Sequence, residues 1–122
     1  MHVFGELEAA IMDRLWARAS PMTVREVLTG LLPERRPAYN TVLTVMDNLY
    51  KKQWLFREPD GRAFRYVPAL TRAEYGARQL RQALDDAGDP DEALVRFVAR
   101  MSPVEATALR RALDAHERDD QR

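Results

Sequence analysis

A mainly α-helical chain carrying one small β-hairpin is the fold class this sequence predicts, and three patterns predict it. Apolar residues recur at three- and four-residue steps in three stretches between Glu6 and Gln53. Two short β-prone runs then flank Pro59-Asp60-Gly61. From Thr71 onward, three segments each open on a helix-capping residue and again carry helical spacing.

The first helix is predicted over residues 6–17, where Leu7, Ala10, Ile11, Leu15 and Trp16 form one stripe and Glu6 and Glu8 favour the positive helix end. Ser20-Pro21 punctuates the chain. Thr23-Val24-Arg25-Glu26 reads as a capping box that opens a short helix to about Leu32, with Val24, Val27, Leu28 and Leu31 inward. Pro33 to Pro37 is a turn, its prolines stopping one helix and setting the start of the next.

A third helix is predicted from about Ala38 to Gln53. At about 100° per residue, Val42, Val45, Met46 and Leu49 fall on one side. Asn40, Thr44, Asp47 and Lys51 fall on the other, flanked by Thr41, Leu43 and Asn48. Trp54-Leu-Phe-Arg-Glu and Arg62-Ala-Phe-Arg-Tyr-Val-Pro68 then make the hairpin.

Three further helices follow. Thr71-Arg-Ala-Glu74 is a second capping box, and Asp89-Pro90 and Ser102-Pro103 place Pro at the first helical position. Their apolar stripes are narrow. The first holds Ala73, Gly76, Ala77, Leu80, Leu84 and Ala87, the second Leu94, Phe97, Val98 and Met101, the third Ala106, Leu109, Ala112 and Leu113.

Composition narrows the function. A chain of 122 residues suits one domain, or a small domain with an appendage, and 46% hydrophobic residues allow a core. With no cysteine there are no disulfides, thiolate metal sites, iron–sulfur clusters or cysteine nucleophiles. No apolar run reaches the length of a membrane span, and MHVFGELEAA lacks a basic-then-apolar signal pattern. The expectation is a soluble, cytoplasmic protein with no membrane insertion. Net charge is zero, yet residues 35–66 hold seven Lys/Arg against three acids, and residues 69–122 hold nine Arg against eleven acids. Positive charge therefore gathers in the middle third.

Helix, helix, helix, hairpin within about 60 residues is the plan of a winged helix-turn-helix. The outer face of its third helix is polar and short-chained, so it can approach base edges, and threonine methyls can touch thymine. Tyr39, Asn40, Thr41, Leu43, Thr44 and Asn48 are the candidate DNA contacts on that helix. Lys51 and Lys52 at its far end, and Arg62 and Arg65 on the hairpin, are the candidate phosphate contacts. The same residues would also suit an ordinary solvated face, and Tyr39 is equally able to lie against the helical motif.

The sequence resembles the BlaI/MecI family of penicillinase repressors. Leu7, Glu8, Met12, Leu15 and Trp16 match its first helix, and Thr23, Val24, Arg25, Glu26 and Val27 its second. Ala38, Tyr39, Thr41, Val42, Thr44, Val45, Leu49, Lys51 and Lys52 match its recognition helix. Gly61, Arg62, Ala63, Tyr66 and Pro68 match its wing, and Leu94, Val95, Phe97 and Val98 its C-terminal phrase. The resemblance implies a homodimeric repressor on a palindromic operator, typically controlling β-lactamase or penicillin-binding-protein genes. It also implies, in some members, inactivation by a membrane sensor-protease at the bond before that Phe, here Arg96–Phe97. Four features depart from the family. Arg96 stands where cleaved members carry Asn, Asn48 where Arg is common, and Gln53-Trp54 where a turn glycine is usual; the cysteine-rich tail of copper-responsive relatives has no counterpart.

A dimer is expected on physical grounds as well. One winged helix reads few base pairs, and two half-sites about a helical turn apart are the usual remedy. Leu80, Leu84, Leu94, Phe97, Val98, Met101, Leu109 and Leu113 are the candidate interface residues. The alternative is that these helices fold back on the N-terminal part. The expected division is a winged helix-turn-helix domain over 1–70 and a helical dimerisation domain over 71–122.

His2 and His116 have no second histidine or cysteine at ligand spacing, and the acids around Asp85-Asp86 and Asp89 lack a calcium-loop pattern. No metal, no cofactor and no enzymatic activity are expected. Two rival functions remain. One is a winged-helix protein-interaction module. The other is a regulator with its own small-molecule pocket, for which the narrow stripes leave little room.

Overall fold

The computed structural model describes residues 4–18 and 20–122; His2 lies outside them. Helix α1 (Glu6–Ala17) starts where the Glu8 side chain accepts a hydrogen bond from the Gly5 N–H at 3.0 Å. It buries Ile11, Met12 and Leu15. Met12 thus joins the stripe, while Leu7, Ala10 and Trp16 are half-buried. Strand β1 (Met22–Thr23) leads directly into α2 (Val24–Leu31). The capping box forms as the sequence predicts: Thr23 Oγ1 accepts from the Glu26 N–H at 3.1 Å, and Glu26 Oε1 accepts from the Thr23 N–H at 3.0 Å.

Helix α3 spans Tyr39–Lys51, and β2 (Leu55–Asp60) and β3 (Ala63–Pro68) form the hairpin. Pairing runs from Leu55↔Pro68 to Asp60↔Ala63, leaving Gly61 and Arg62 at the tip. Gly61 has φ +62°, a left-handed conformation that glycine adopts without steric cost. The sheet is three-stranded in the order β1-β3-β2, because Met22 and Thr23 pair with Tyr66 and Arg65. A two-residue strand leaves no alternation to read, so the sequence predicts only the hairpin.

Valine, leucine and methionine faces of α1, α2 and α3 meet over this sheet. Ile11, Val27, Val42, Met46 and Leu49 are fully buried, and Leu55 and Tyr66 close the core from the strands. Each such aliphatic side chain contributes roughly 1.5–3 kcal/mol by leaving water. No polar or charged residue is buried among the described residues.

Phe4, Trp16, Trp54 and Tyr75 form a second cluster at the margin of the core. Phe4 stacks on Tyr75 with centroids 4.8 Å apart and meets Trp54 edge-on at 5.0 Å. Trp16 Nε1 donates to the Leu70 carbonyl at 2.9 Å. Tyr75 belongs to α4 (Arg72–Asp86), whose start is capped by Thr71 and Glu74. The chain accordingly divides into two compact units, residues 1–79 and 80–122, with the division inside α4. The boundary expected from sequence stands at 70/71; the aromatic packing of Tyr75 draws the first turns of α4 into the first unit.

The second unit comprises the end of α4, α5 (Pro90–Ala99) and α6 (Pro103–Asp120). Asp89 caps α5, and Ser102 with Glu105 forms a full capping box on α6. Neither α5 nor α6 buries any side chain. No helix among the described residues is long and apolar enough to cross a membrane.

Candidate nucleic-acid interface

The 3.6-residue period of α3 sorts its side chains. Val42, Met46 and Leu49 point into the core, and Val45 is half-buried beside them. Asn40, Thr41, Leu43, Thr44 and Asn48 stand exposed along the opposite side. Tyr39, also exposed, carries the Arg25 guanidinium over its ring at 4.7 Å. Small amide and hydroxyl groups in a row on an exposed helix are able to exchange hydrogen bonds with base edges in a major groove.

Cations surround this strip unequally. Arg62, at the hairpin tip, is exposed and has no acidic partner among the described residues. Lys52 reaches Glu8 only at 3.9 Å. Lys51 binds Asp47 one turn back, Nζ to Oδ2 at 3.0 Å. Arg65 is drawn inward: its Nε donates to Asp60 at 2.7 Å and its Nη1 to Glu26 at 3.0 Å. These partners, Asp60 first, raise its pKa above the ordinary arginine value and fix its charge in the scaffold. The structure therefore separates the two wing arginines, with Arg62 presented to solvent and Arg65 bracing β3 against α2.

Arg57 is absent from the contacts read out of the sequence. It lies between the faces of Tyr50 and Phe64, at 3.9 and 4.1 Å from their centroids, and donates Nη1 to Asp47 Oδ1 at 3.0 Å. Period-two alternation in β2 was the available signal, since it puts Arg57 on the same face as buried Leu55 and opposite Tyr66. Asp47 is thus held from both sides. Its hydrogen bond from Lys51, opposed by partial burial and reinforced by Arg57, lowers its pKa below the usual carboxylate range.

A solvent-open groove of about 590 Å3 runs beside the end of α3, bounded by Lys52, Trp54, Phe56, Leu70 and Arg78 among others. The narrow helical stripes do not reveal it, because it arises between the hairpin base and the helix end. In the second unit, Leu80, Leu94, Phe97, Val98 and Leu113 are exposed, and Leu84, Met101 and Leu109 are half-buried. The Arg96–Phe97 bond lies inside α5, with Arg96 paired to Glu92 at 2.8 Å.

Comparison with known proteins gives consistent results. The pattern of the penicillinase repressor family matches residues 4–115. The transcriptional regulator BlaI of Mycobacterium tuberculosis, in strains CDC 1551 / Oshkosh and ATCC 25618 / H37Rv, is 46% identical over 112 residues, covering 89% of this chain and 81% of that protein. The solution structure of the DNA binding domain of the repressor BlaI superposes with a TM-score of 0.53 at 26% identity, covering 60% of this chain and 88% of that domain.

Proposed function

The chain belongs to the penicillinase repressor family, and from that premise we propose that it is a homodimer that silences genes by occupying a palindromic operator. It is a transcriptional repressor with a winged-helix DNA-binding domain, not an enzyme. The observation that carries the DNA reading is the exposed row of Asn40, Thr41, Thr44 and Asn48 over an inward row of Val42, Met46 and Leu49.

In this reading α3 enters the major groove. Asn40, Thr41 and Thr44 read base edges, Leu43 meets a thymine methyl, and Tyr39 and Asn48 flank them. Lys51, Lys52 and Arg62 hold phosphates, and Arg65 acts from within the wing by fixing its pose. Residues 1–70 are the reading domain and residues 71–122 the dimerisation domain, joined to its partner through Leu80, Leu84, Leu94, Phe97, Val98, Met101, Leu109 and Leu113. The protein works in the cytoplasm, and polymerase is excluded while the operator is held. If a membrane sensor-protease relieves repression at Arg96–Phe97, α5 must first open, because a protease takes its substrate extended and this bond is helical.

Two variants test the division of roles. Arg62→Ala is expected to weaken operator and random duplexes alike and to lower the slope of log affinity against log salt by about 0.9. Thr44→Ala is expected to leave that slope unchanged and to cost affinity chiefly for the operator selected from a random DNA pool. Identical behaviour of the two variants on both duplexes would show the assignment to be wrong. A wild-type protein without salt-dependent duplex affinity would overturn the DNA reading itself.

A further inference from the structure

We propose that Lys51 and Arg57 form a two-cation site for one DNA backbone phosphate, and that Asp47 is its built-in competitor. The inference rests on the DNA reading above and adds to it a site and a residue that lowers affinity on purpose.

The geometry is that of an occupied anion site. Each Asp47 oxygen takes one cation: Oδ1 accepts from Arg57 Nη1 at 3.0 Å and Oδ2 from Lys51 Nζ at 3.0 Å. A phosphate offers the same pair of oxygens. Arg57 cannot swing elsewhere, because Tyr50 and Phe64 hold its guanidinium between their rings. Its side chain is only 22% exposed, whereas Lys51 is 68% exposed. One cation is therefore fixed and one is free to re-aim. Asp47 sits on the same outward side of α3 as Asn40 and Thr44, so the pair it neutralises borders the proposed base-reading strip.

An acid there costs affinity for every duplex through repulsion of phosphates. Phosphate must draw Lys51 from Asp47 and compete with Asp47 for the fixed Arg57 before counterion release through them is gained. A random duplex offers little to offset that cost. A duplex seated in register by Asn40, Thr41 and Thr44 can instead present a cytosine amino group for Asp47 to accept from, which recovers part of the cost on that duplex alone. Asp47 thereby widens the ratio between specific and nonspecific binding, which is the quantity that matters among many competing sites.

The test measures Asp47→Asn, with Asp47→Ser as a second variant, on a random duplex and on the duplex selected by the wild-type protein. Circular dichroism and thermal melting verify the fold. The expected result is about a fivefold gain on the random duplex, a smaller gain on the selected one, and a salt slope steeper by about 0.9, the contribution of one phosphate contact. Adding Arg57→Gln to Asp47→Asn should return the slope to its wild-type value. Unchanged or weaker random-duplex binding overturns the proposal while leaving the DNA reading intact. Failure of both Asp47 variants to fold makes Asp47 part of the scaffold and overturns it too. Absence of salt-dependent binding in the wild type overturns both.

Discussion

Glu26 gathers three roles in one carboxylate. It completes the cap of α2 by accepting from the Thr23 N–H, pairs with Arg65 of β3 at 3.0 Å, and pairs with Arg18 at 2.9 Å. The Thr23 backbone hydrogen bond is the largest cause of its low pKa, about 2 against an ordinary 4.5, with Arg18 adding to it and burial opposing. A folded pKa below the unfolded one stabilises the fold when the group is ionised. That contribution is complete above about pH 4.5 and is lost as pH falls through 4.5 toward 2. The thermal midpoint of the wild type is therefore expected to fall across this window more steeply than that of Glu26→Gln. Parallel profiles for the two proteins would show that Glu26 does not couple folding to protons. The cap was legible in sequence because Thr23 and Glu26 stand three residues apart. The Arg65 pairing was not, since it spans 39 residues and exists only through the register Thr23↔Arg65.

The end of α3 decides where the wing begins. The family resemblance leads one to expect a glycine there, and the chain has Gln53-Trp54 instead. The turn nevertheless forms: Gln53 takes φ +69°, its N–H reaches the Tyr50 carbonyl at 2.9 Å, and the Trp54 N–H reaches the Leu49 carbonyl at 2.9 Å. These are the two hydrogen bonds of a Schellman ending, with Trp54 packed at the core margin as its apolar partner. A side chain in the left-handed region costs about 1–2 kcal/mol. Gln53→Gly is expected to stabilise the first unit by about 0.5–1 kcal/mol, part of the strain relief being offset by the extra freedom of glycine in the unfolded chain. Chemical denaturation measures it, and a loss of stability would mean the Gln53 side chain contributes more than its backbone costs. Helices and hairpin were readable because caps, prolines and period-3.6 stripes are local signals. The cluster of Phe4, Trp16, Trp54 and Tyr75 was not, because its members come from four separate places in the chain and none shares a period with another.

The two units differ in how their apolar residues are satisfied. In the first, Ile11, Val27, Val42, Met46, Leu49 and Tyr66 are sealed from water within one subunit. In the second, Phe97 remains 51% exposed and Leu80 60% exposed, and neither α5 nor α6 contains a buried side chain. Segments of this size seldom hold a stable fold on their own hydrophobic burial. The capping of α5 and α6 by Asp89 and Ser102 defines where each helix begins, at about 1 kcal/mol per cap, but supplies no core. A second copy of the chain is the occupant that the proposed function requires, since two reading domains on one operator need a symmetric join. A stable join of that kind buries on the order of 1,200–2,000 Å2 in total. Phe97→Asp would place a charge in the middle of such a surface while leaving the first unit's core untouched. The expected outcome is a monomer by sedimentation equilibrium at concentrations where the wild type is dimeric, with an unchanged melting transition for the first unit. Binding to a two-half-site operator should then fall by more than tenfold, whereas binding to a single half-site should not change. A Phe97→Asp protein that stays dimeric, or a wild type that sediments as a monomer at every concentration tried, would place the reading surface on a single subunit and remove the dimer from the mechanism.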